Sequence, residues 1–320
     1  MLNKQIIDIF ELLDDPKANG QIVKAFLQAI DPEASVETYA LEGPQGKTDM
    51  VKVRIPGTEG KTVGGSYPTI GILGRLGGLG ARPEVVGYVS DGDGAHIDEF
   101  GALAALAVAA KLIDMRKKGD RLKGDVFIST HICPDAPTQP HHPVPFMGSP
   151  VEMHQVNEEE VTPELDAILS IDTTKGNRII NTRGFAISQT VKQGYILRAS
   201  EDLLDIMQRT TGKLPYVFPV NMQDITPYGN DVHHINSIMQ PCTCTDAPVV
   251  GVAITTEMMV PGCGTGCSHM EDIEEAARFV LEVAKDFTAG KISFYDVQDD
   301  ARMNKLYGSM KHLQQLGNRD

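Results

Sequence analysis

The hydrophobic positions in the first third of the chain change from helical spacing to strand spacing. Apolar residues from Ile6 to Leu13 recur on one side of a helix, and "GQIVKAFLQAI" repeats this spacing after the breaker "DDPKANG", which predicts two N-terminal helices. The segments "ASVETYALEG" and "DMVKVRIPG" carry alternating or β-branched residues, and "PTIGILGRLGG" is an apolar run bounded by Pro and Gly. These three segments are predicted to be strands.

Helices and apolar strands alternate through the rest of the chain. An alanine-rich segment from Ala95 to about Lys117 ends in basic residues and Gly119, as a buried helix does. Strands are predicted at "GDVFISTHI", "LDAILSIDTT", "PYVFPV" and "PVVGVAIT", and helices at "EDLLDIMQRTTG" and "EDIEEAARFVLEVAKDFTAG". This alternation predicts an α/β fold with a mixed, mainly parallel sheet and helices on both faces. Ligands of such folds bind outside the carboxyl ends of the strands.

Composition and charge narrow the range of partners. The chain has 29 Lys and Arg against 43 Asp and Glu and no basic stripe, so neither nucleic acid nor an anionic membrane is an expected partner. No apolar stretch reaches the roughly 20 residues of a membrane span, and the N-terminus does not resemble a signal peptide. We therefore expect a cytoplasmic protein with reduced cysteines. The 320 residues are interpreted as one domain, 1–320, with a C-terminal helical tail at about 299–320.

The segment "SDGDGAHIDE" places Asp91 and Asp93 immediately before the alanine-rich helix. A calcium loop needs a third oxygen ligand where Ala95 stands and a distal Glu, so we reject that interpretation. Either aspartate can cap the helix by accepting backbone N–H bonds. Capping does not exclude metal binding, because one residue neighbourhood can serve both purposes.

Further ligand types follow the strand "GDVFISTHI". His131, Cys133 and Asp135 stand at its end, and zinc accepts all three kinds of side chain. Alternatively, Cys133 is a small buried residue and the histidines of this segment are solvated. Two later thiol pairs, "PCTC" and "PGCGTGC", lack C-x-x-C spacing, so a structural metal site and ordinary reduced thiols both stay open. The run "GRLGGLG" lacks the Walker lysine and the dinucleotide spacing, and no nucleotide cofactor is expected.

In their order along the chain, these clusters resemble those of the co-catalytic di-zinc aminopeptidases, most closely the tetrahedral and glutamyl aminopeptidase group. In that family one strand ends in a Gly-His-Leu-Asp-like motif, an Asp precedes a Gly/Ala-rich helix, a Glu-Glu pair and an Asp end two further strands, and a late His precedes the final helix. The corresponding segments here are "PTIGILGRLGG", "SDGDGA", "VFISTHICPDA", "ILSIDTT" and "GCSHMEDIEEAARFVL". The resemblance implies a zinc-aminopeptidase-like fold. The whole chain also resembles an uncharacterised bacterial family with strings such as "STHICPDAPTQPH".

The chain departs from the aminopeptidase pattern at several of these places. Arg75 stands where the first His is expected, Gly77 stands for the Asp two residues later, and Cys133 and Pro134 stand for the Glu-Glu pair. In the family the first Glu takes a proton from a metal-bound water, which proline cannot do and cysteine does poorly. The resemblance therefore implies a modified site.

The resemblance implies a metal-dependent hydrolase of a small amide or peptide-like substrate, with zinc, manganese or cobalt as its ion. The implied metal ligands are Asp91 or Asp93, Asp172 and His269. Either His131 or Asp135 is implied as a further ligand or as the proton acceptor. The guanidinium of Arg75 suits a substrate carboxylate. Asp231 and His233 are assigned to substrate binding, because "GNDVHHINSI" resembles a Gly-Thr-Asp-Ala segment of the same group.

Two other functions stay open at the level of sequence. A non-catalytic small-ligand-binding protein would have kept the fold after losing the metal site. A cysteine-dependent enzyme would use Cys133 beside His131, because a nearby imidazolium stabilises a thiolate nucleophile. In each case the expected partner is a small molecule or short peptide, and the aminopeptidase group is often homo-oligomeric.

Overall fold

A computed structural model describes residues 2–13, 15, 17–75, 100–133, 138–139, 146–147, 150–173, 180–220, 237–257 and 269–314 of the chain. The helices in these ranges are α1 (Asn3–Leu13), α2 (Gly20–Ile30), α3 (Phe100–Lys117), α4 (Met153–Glu160), α5 (Glu201–Thr211), α6 (Met270–Thr288) and α7 (Val297–Tyr307). The strands are β1 (Ser35–Gly43), β2 (Gly46–Ile55), β3 (Ile70–Gly74), β4 (Val126–Ile132), β5 (Thr138–Gln139), β6 (Phe146–Met147), β7 (Ala167–Thr173), β8 (Gly184–Ser188), β9 (Val191–Lys192), β10 (Tyr195–Ile196), β11 (Val217–Phe218) and β12 (Val249–Thr255). Short 3₁₀ segments occur at Lys61–Val63, Ser237–Thr243 and Lys311–Gln314.

The main sheet is mixed and is built around four parallel strands. Its order is β1-β2-β4-β3-β7-β12-β8-β11, and β9 pairs with both β12 and β10. Strands β4, β3, β7 and β12 are adjacent and parallel, whereas the hairpin β1–β2 and strand β8 pair antiparallel with the outer members of this group. The predicted mixed, mainly parallel sheet is confirmed. The carboxyl ends of the four central strands therefore share one edge.

Both faces of the central strands are covered, which explains their continuous apolar sequences. On one face, here called the α3 face, residues such as Ile72, Ile128 and Leu169 pack in one core with α1, α3 and α6. On the opposite face, the α4 face, Leu73, Phe127, Ile168 and Ala253 pack with residues of the 3₁₀ segment Ser237–Thr243. Helix α4 lies on this second face, where Val156 packs against Met50 of β2. The predicted helical layers on both faces of the sheet are present.

Most of the predicted elements are observed, and the short strands β5, β6, β9 and β10 are present in addition to them. The N-terminal helices, the β1–β2 hairpin, the central strands and helices α5 and α6 fall where the sequence predicts them. Helix α4 and strand β8 were not predicted. In α4 the buried residues are Val156, Asn157 and Glu160, so polar side chains form most of its inner side. Hydrophobic periodicity cannot indicate such a helix.

Helix α3 approaches the central strands closely at two glycines. A Cβ on Gly74 would lie 2.7 Å from the Gly101 carbonyl oxygen, and a Cβ on Gly101 would lie 2.3 Å from the Ile171 carbonyl oxygen. Both contacts are with backbone, which cannot move aside as a flexible side chain can. The two glycines therefore allow the first turn of α3 to rest directly against the ends of β3 and β7.

We expect Gly101→Ala to lower the free energy of unfolding by about 1–3 kcal/mol, as overpacking of a filled interior does. Urea denaturation of wild type and variant measures this difference. Helix propensity alone works in the opposite direction, because Ala in a helix is favoured over Gly by about 1 kcal/mol. A Gly101→Ala protein as stable as the wild type, or more stable, would contradict the close backbone contact.

Within the described residues, no helix combines the length and the apolar character needed to cross a membrane. Helix α7 and the 3₁₀ segment Lys311–Gln314 lie in the region predicted to form a C-terminal helical tail. All the residues of α7 are at least partly exposed, and Lys192 and Arg198 form ion pairs with its acidic first turn.

Candidate functional site

Three polar side chains form a row at the carboxyl edge of the sheet. In the parallel registers Leu73 is opposite Ser129 of β4, and Gly74 is opposite Ile171 of β7. The ladder continues past β3, because the Arg75 N–H donates to the Ile171 carbonyl oxygen at 2.8 Å. Since register partners of adjacent strands face the same side, Arg75, His131 and Asp172 lie side by side on the α4 face. We call these three residues the polar row.

All three members of the polar row are buried. Arg75 is 2% exposed, His131 3% and Asp172 1%. Burying a charged or polar side chain is unfavourable unless partners compensate for the lost hydration, so a cluster of this kind at strand ends indicates a structural network or a functional site.

Thr48 of β2 fixes the tautomer of His131. The Thr48 hydroxyl donates its one hydrogen to the Ile132 carbonyl oxygen at 3.1 Å, and its Oγ1 lies 2.9 Å from Nδ1 of His131. Because that hydrogen is already used, Nδ1 of the imidazole is the donor in the second bond. The geometry therefore assigns the proton to Nδ1 and leaves the lone pair on Nε2.

The environment of His131 keeps its imidazole neutral. Burial, together with the smaller effect of the positive charge of Arg75, lowers the pKa of His131 from 6.5 to about 3. The ring is consequently uncharged at neutral pH. A neutral imidazole with a lone pair on one nitrogen is the form that binds metal ions or accepts a proton.

Two residues of α4 hold the guanidinium of Arg75. Nη2 donates to Asn157 Oδ1 at 2.7 Å, and Nη1 forms an ion pair with Glu160. Asn157 is 1% exposed and Glu160 is fully buried, and residues three apart lie on the same side of a helix. Arg75 thus binds a carboxylate, as its chemistry suggested, but this carboxylate belongs to the chain itself. Its assignment to a substrate carboxylate stays a prediction.

Asp172 lies where β7 meets the start of α3. Its Oδ1 accepts a hydrogen bond from the Thr173 N–H at 2.7 Å, and the Thr173 hydroxyl oxygen accepts one from the Phe100 N–H at 3.0 Å. These bonds fix the backbone next to the carboxylate. Asp172 therefore has a rigid support, as expected for a residue at a strand end that takes part in a site.

Cys133 ends β4 beside the polar row. It is 3% exposed, and its thiol is in contact with the Lys47 carbonyl oxygen at 3.5 Å. Among the described residues, Cys133, Cys242 and Cys244 form no disulfide bond. Burial raises the pKa of Cys242 to about 12, so that thiol is protonated and unreactive at neutral pH.

His269 lies at the N-cap of α6 and is exposed. Its carbonyl oxygen accepts from the Asp272 N–H at 3.0 Å, and Asp272 in turn accepts a hydrogen bond from Arg183 Nε at 3.3 Å. Burial raises the pKa of Asp272, while the charges of Arg183 and His269 act in the opposite direction. Gly184 is opposite Thr255 of β12, so Arg183 lies at the same sheet edge as the polar row. The role of His269 as a ligand stays a prediction.

The structure brings together three of the sequence-predicted site residues, Arg75, His131 and Asp172, with Cys133 next to them. Asp91, Asp93, Asp135, Asp231 and His233 lie outside the described residues, and their roles stay predictions. In the part of the chain that the structure describes, no three His, Cys, Asp or Glu side chains are grouped closely enough to hold a metal ion.

Sequence reasoning missed Thr48, Asn157 and Glu160. All three contact the polar row from elements remote in sequence: Asn157 is 82 residues from Arg75, and Thr48 is 83 residues from His131. Glu152 and Gln155 form a capping box at the start of α4, but Glu is not one of the N-cap residues by which a sequence indicates a helix start. The sequence therefore carried no clear signal that Asn157 and Glu160 lie on a helix.

Comparison with known proteins identifies a family and a fold. The sequence profile described as "Protein of unknown function (DUF1177)" matches residues 39–317. No curated protein matches the chain.

Solved structures with a similar fold include peptidases and cyclases. The LapA aminopeptidase of Legionella pneumophila superimposes with a TM-score of 0.52 at 10% identity, over 91% of this chain and 72% of that one. A glutaminyl cyclase of Macrostomum lignano superimposes with a TM-score of 0.49 at 12% identity, over 91% of this chain and 90% of the cyclase. A TET aminopeptidase of a marine sediment thaumarchaeote superimposes with a TM-score of 0.47 at 9% identity, over 90% of this chain and 99% of the aminopeptidase. At such identities the LapA superposition shows the fold alone, and the predicted zinc-aminopeptidase-like fold is confirmed.

Proposed function

We propose that this chain, which belongs to the DUF1177 family of proteins of unknown function, is a metal-dependent hydrolase of a small amide or peptide-like substrate. The observation that carries the proposal is the polar row, in which a neutral His131 and the carboxylate of Asp172 stand on either side of Arg75 at the carboxyl edge of the sheet. In open α/β sheets this edge is the ordinary place for a ligand.

The polar row includes two side chains, an imidazole and a carboxylate, of the kinds that bind divalent metal ions. A metal-binding histidine usually donates its other ring N–H to a fixed acceptor, and His131 has this arrangement with Thr48. Asp172 supplies a carboxylate, which zinc, manganese and cobalt all accept. The charge of Arg75 is opposed by the ion pair with Glu160, which reduces its repulsion of a bound cation. His131 and Asp172 would therefore hold the ion.

The remaining ligands would come from the segments that follow the strands and precede α6. Asp91 or Asp93 and the exposed His269 are the candidates with suitable chemistry. A cytoplasmic location, a small-molecule or peptide partner and a homo-oligomeric state also stay proposals from the sequence.

In the proposed reaction the chain's own residues hold the ion, position the substrate and move protons. A divalent ion lowers the pKa of a water ligand and polarises a substrate carbonyl. Thr48 keeps Nε2 of His131 unprotonated and oriented, and Asp172 would supply carboxylate oxygens as ligands. Asp135, two residues beyond Cys133, would accept the proton from water in place of the missing Glu. Asp231 and His233 would orient the substrate.

The test is hydrolysis of a panel of aminoacyl amides and short peptides by protein loaded with Zn²⁺, Mn²⁺ or Co²⁺. We expect hydrolysis that a chelator abolishes. Asp172→Asn is expected to lower it by more than about 100-fold, because changes to the groups that merely support a ligand already cost about 10–100-fold.

Asp166→Asn provides the matched control for Asp172→Asn. Asp166 immediately precedes β7 at the opposite edge of the sheet, where it accepts a hydrogen bond from the Thr69 N–H at 2.7 Å. This variant should keep wild-type hydrolysis. Protein that binds none of the three ions and hydrolyses none of the panel would refute the proposal and favour the non-catalytic ligand-binding alternative.

A further inference from the structure

Strand β1 forms one edge of the main sheet. It pairs with β2 on its inner side, and within the described residues no strand pairs with its outer side. The strand is nine residues long, and its register with β2 continues without a bulge from Ser35 to Gly43. Strand β11, at the other end of the sheet, has only two residues. Of these two edges, β1 is therefore the longer template for pairing with a further strand.

The turn between β1 and β2 determines which backbone groups face outward. Gly43 and Gly46 flank a two-residue turn and are register partners, so they form a hydrogen-bonded pair. Because such pairs alternate along an antiparallel ladder, the odd-numbered residues of β1 bond to β2. The N–H and C=O groups that face outward include those of Thr38, Ala40 and Glu42. In the described part of the chain, none of these groups has a hydrogen-bond partner.

The outer side of β1 lacks the usual protection of a free edge. Natural proteins protect such edges with prolines, lysines, bulges or covering segments. The strand contains neither proline nor lysine, and Glu37, Ala40 and Glu42 are exposed. Its two charged residues are both glutamates, so the pairing of two copies of β1 depends on where these glutamates meet.

A two-fold antiparallel pair centred on Tyr39 aligns two copies of β1 over their whole length. Thr38 of one chain is then opposite Ala40 of the other, and both direct backbone groups toward the partner strand, as a hydrogen-bonded pair requires. The two Tyr39 side chains are opposite each other on the α4 face, where each hydroxyl donates to Glu159 and Lys52 lies over the ring. Aromatic residues that are directly opposite in an antiparallel pair stabilise it.

The same register keeps like charges apart. It places Glu37 opposite Leu41 of the second chain and Glu42 opposite Val36, so neither glutamate is opposite another carboxylate. Registers centred on Glu37 or on Glu42 would place identical charges opposite each other, which is destabilising. The charge pattern of β1 is therefore compatible with self-pairing in the register that uses the whole strand.

We propose that the outer edge of β1 binds the β1 strand of a second copy of this chain, which forms a dimer with one continuous sheet and a two-fold axis at Tyr39. A contact of this kind uses the same surface on both chains and closes on itself, so the assembly ends at two chains. The proposal does not rest on the proposed metal site, and metal-free protein can be used to test it.

Analytical ultracentrifugation of the full-length protein, with and without Ala40→Pro, tests the contact. Proline removes an N–H that faces outward, so the bonds between β1 and β2 are kept. We expect wild-type dimers, and a dissociation constant at least about tenfold higher for Ala40→Pro. Ala40→Ser keeps the N–H and is the matched control, with an expected change of less than about twofold. Circular dichroism checks that each variant is folded.

Cysteine crosslinking tests the register separately. Directly opposite residues of a non-hydrogen-bonded pair have Cα atoms about 4.5 Å apart, within reach of a disulfide, so Tyr39→Cys should form a covalent dimer on mild oxidation. Two Ala40→Cys residues would be diagonal neighbours about 7–8 Å apart and should form several-fold less dimer. Oxidised wild type is the blank for the native cysteines, and mass spectrometry identifies the linked peptide.

A wild-type chain that stays monomeric at the highest concentration that remains in solution would overturn the proposal and leave the edge to a strand of a different protein. A dimer that Ala40→Pro leaves intact, or that crosslinks better through Ala40→Cys than through Tyr39→Cys, would also overturn it. If Ala40→Pro does not fold, the crosslinking comparison alone decides.

Discussion

Replacing Glu160 by alanine is expected to lower the free energy of unfolding by about 3–5 kcal/mol, because it removes a buried carboxylate that forms an ion pair with the buried guanidinium of Arg75. Arg75 is 2% exposed and Glu160 is fully buried, so water cannot replace the lost carboxylate without rearrangement. Urea denaturation at neutral pH in the presence of a chelator measures the effect without any contribution from metal binding.

Two control variants test whether the destabilisation by Glu160→Ala comes from the loss of a buried ion pair. Glu159→Ala removes the adjacent carboxylate, whose side chain is 38% exposed, and is expected to cost about 0–1 kcal/mol. The double variant Arg75→Met with Glu160→Leu removes both buried charges, and such replacements are often neutral or stabilising by about 1–4 kcal/mol. Equal effects of Glu160→Ala and Glu159→Ala would show that Glu160 does not compensate a buried charge.

The stability of the protein is also expected to fall on mild acidification because of His131. The pKa of His131 is lowered to about 3 in the folded chain, whereas an unfolded histidine has its ordinary value of 6.5. Between pH 3 and pH 6.5 the unfolded state binds a proton on His131 that the folded state does not bind. The resulting loss of unfolding free energy is therefore absent above pH 6.5 and grows as the pH falls toward 3, at about 1.4 kcal/mol per pH unit.

Because of His131, the free energy of unfolding is expected to be about 2 kcal/mol lower at pH 5 than at pH 7. The measurement is urea denaturation at both pH values for wild type and His131→Gln, again with a chelator. The variant is expected to lose about 2 kcal/mol less than the wild type on acidification, because its side chain does not titrate. His312→Gln, which changes an exposed histidine, should behave as the wild type. An unchanged pH dependence in His131→Gln would mean that the imidazole is accessible to protons.

Much of the fold was predictable because it follows from local pattern. The central strands are buried on both faces, so each appears in the sequence as a short continuous apolar run, and the alternation with helices indicates a parallel arrangement. Helix α4 was not predictable in this way. Its inner side carries Asn157 and Glu160, whose burial depends on Arg75 and is a property of the tertiary structure.

The candidate site was predictable in part for the same reason. Polar residues at the ends of apolar strands identified His131 and Asp172, and the resemblance to the aminopeptidases identified Arg75. Parallel register brings these three positions to one edge. The sequence could not show that the carboxylate bound by Arg75 comes from Glu160, or that Thr48 sets the tautomer of His131, because both partners are distant along the chain. Long-range pairing of this kind depends on packing, which composition and spacing do not encode.

Anomalous diffraction at the zinc edge, from crystals of the wild-type protein grown with Zn²⁺, shows whether the polar row binds a metal ion. We expect an anomalous peak at the carboxyl edge of the sheet, about 2.0–2.2 Å from Nε2 of His131 and from a carboxylate oxygen of Asp172. Crystals that hold no zinc at the polar row, or that hold it without contact to either residue, would contradict the proposed metal site.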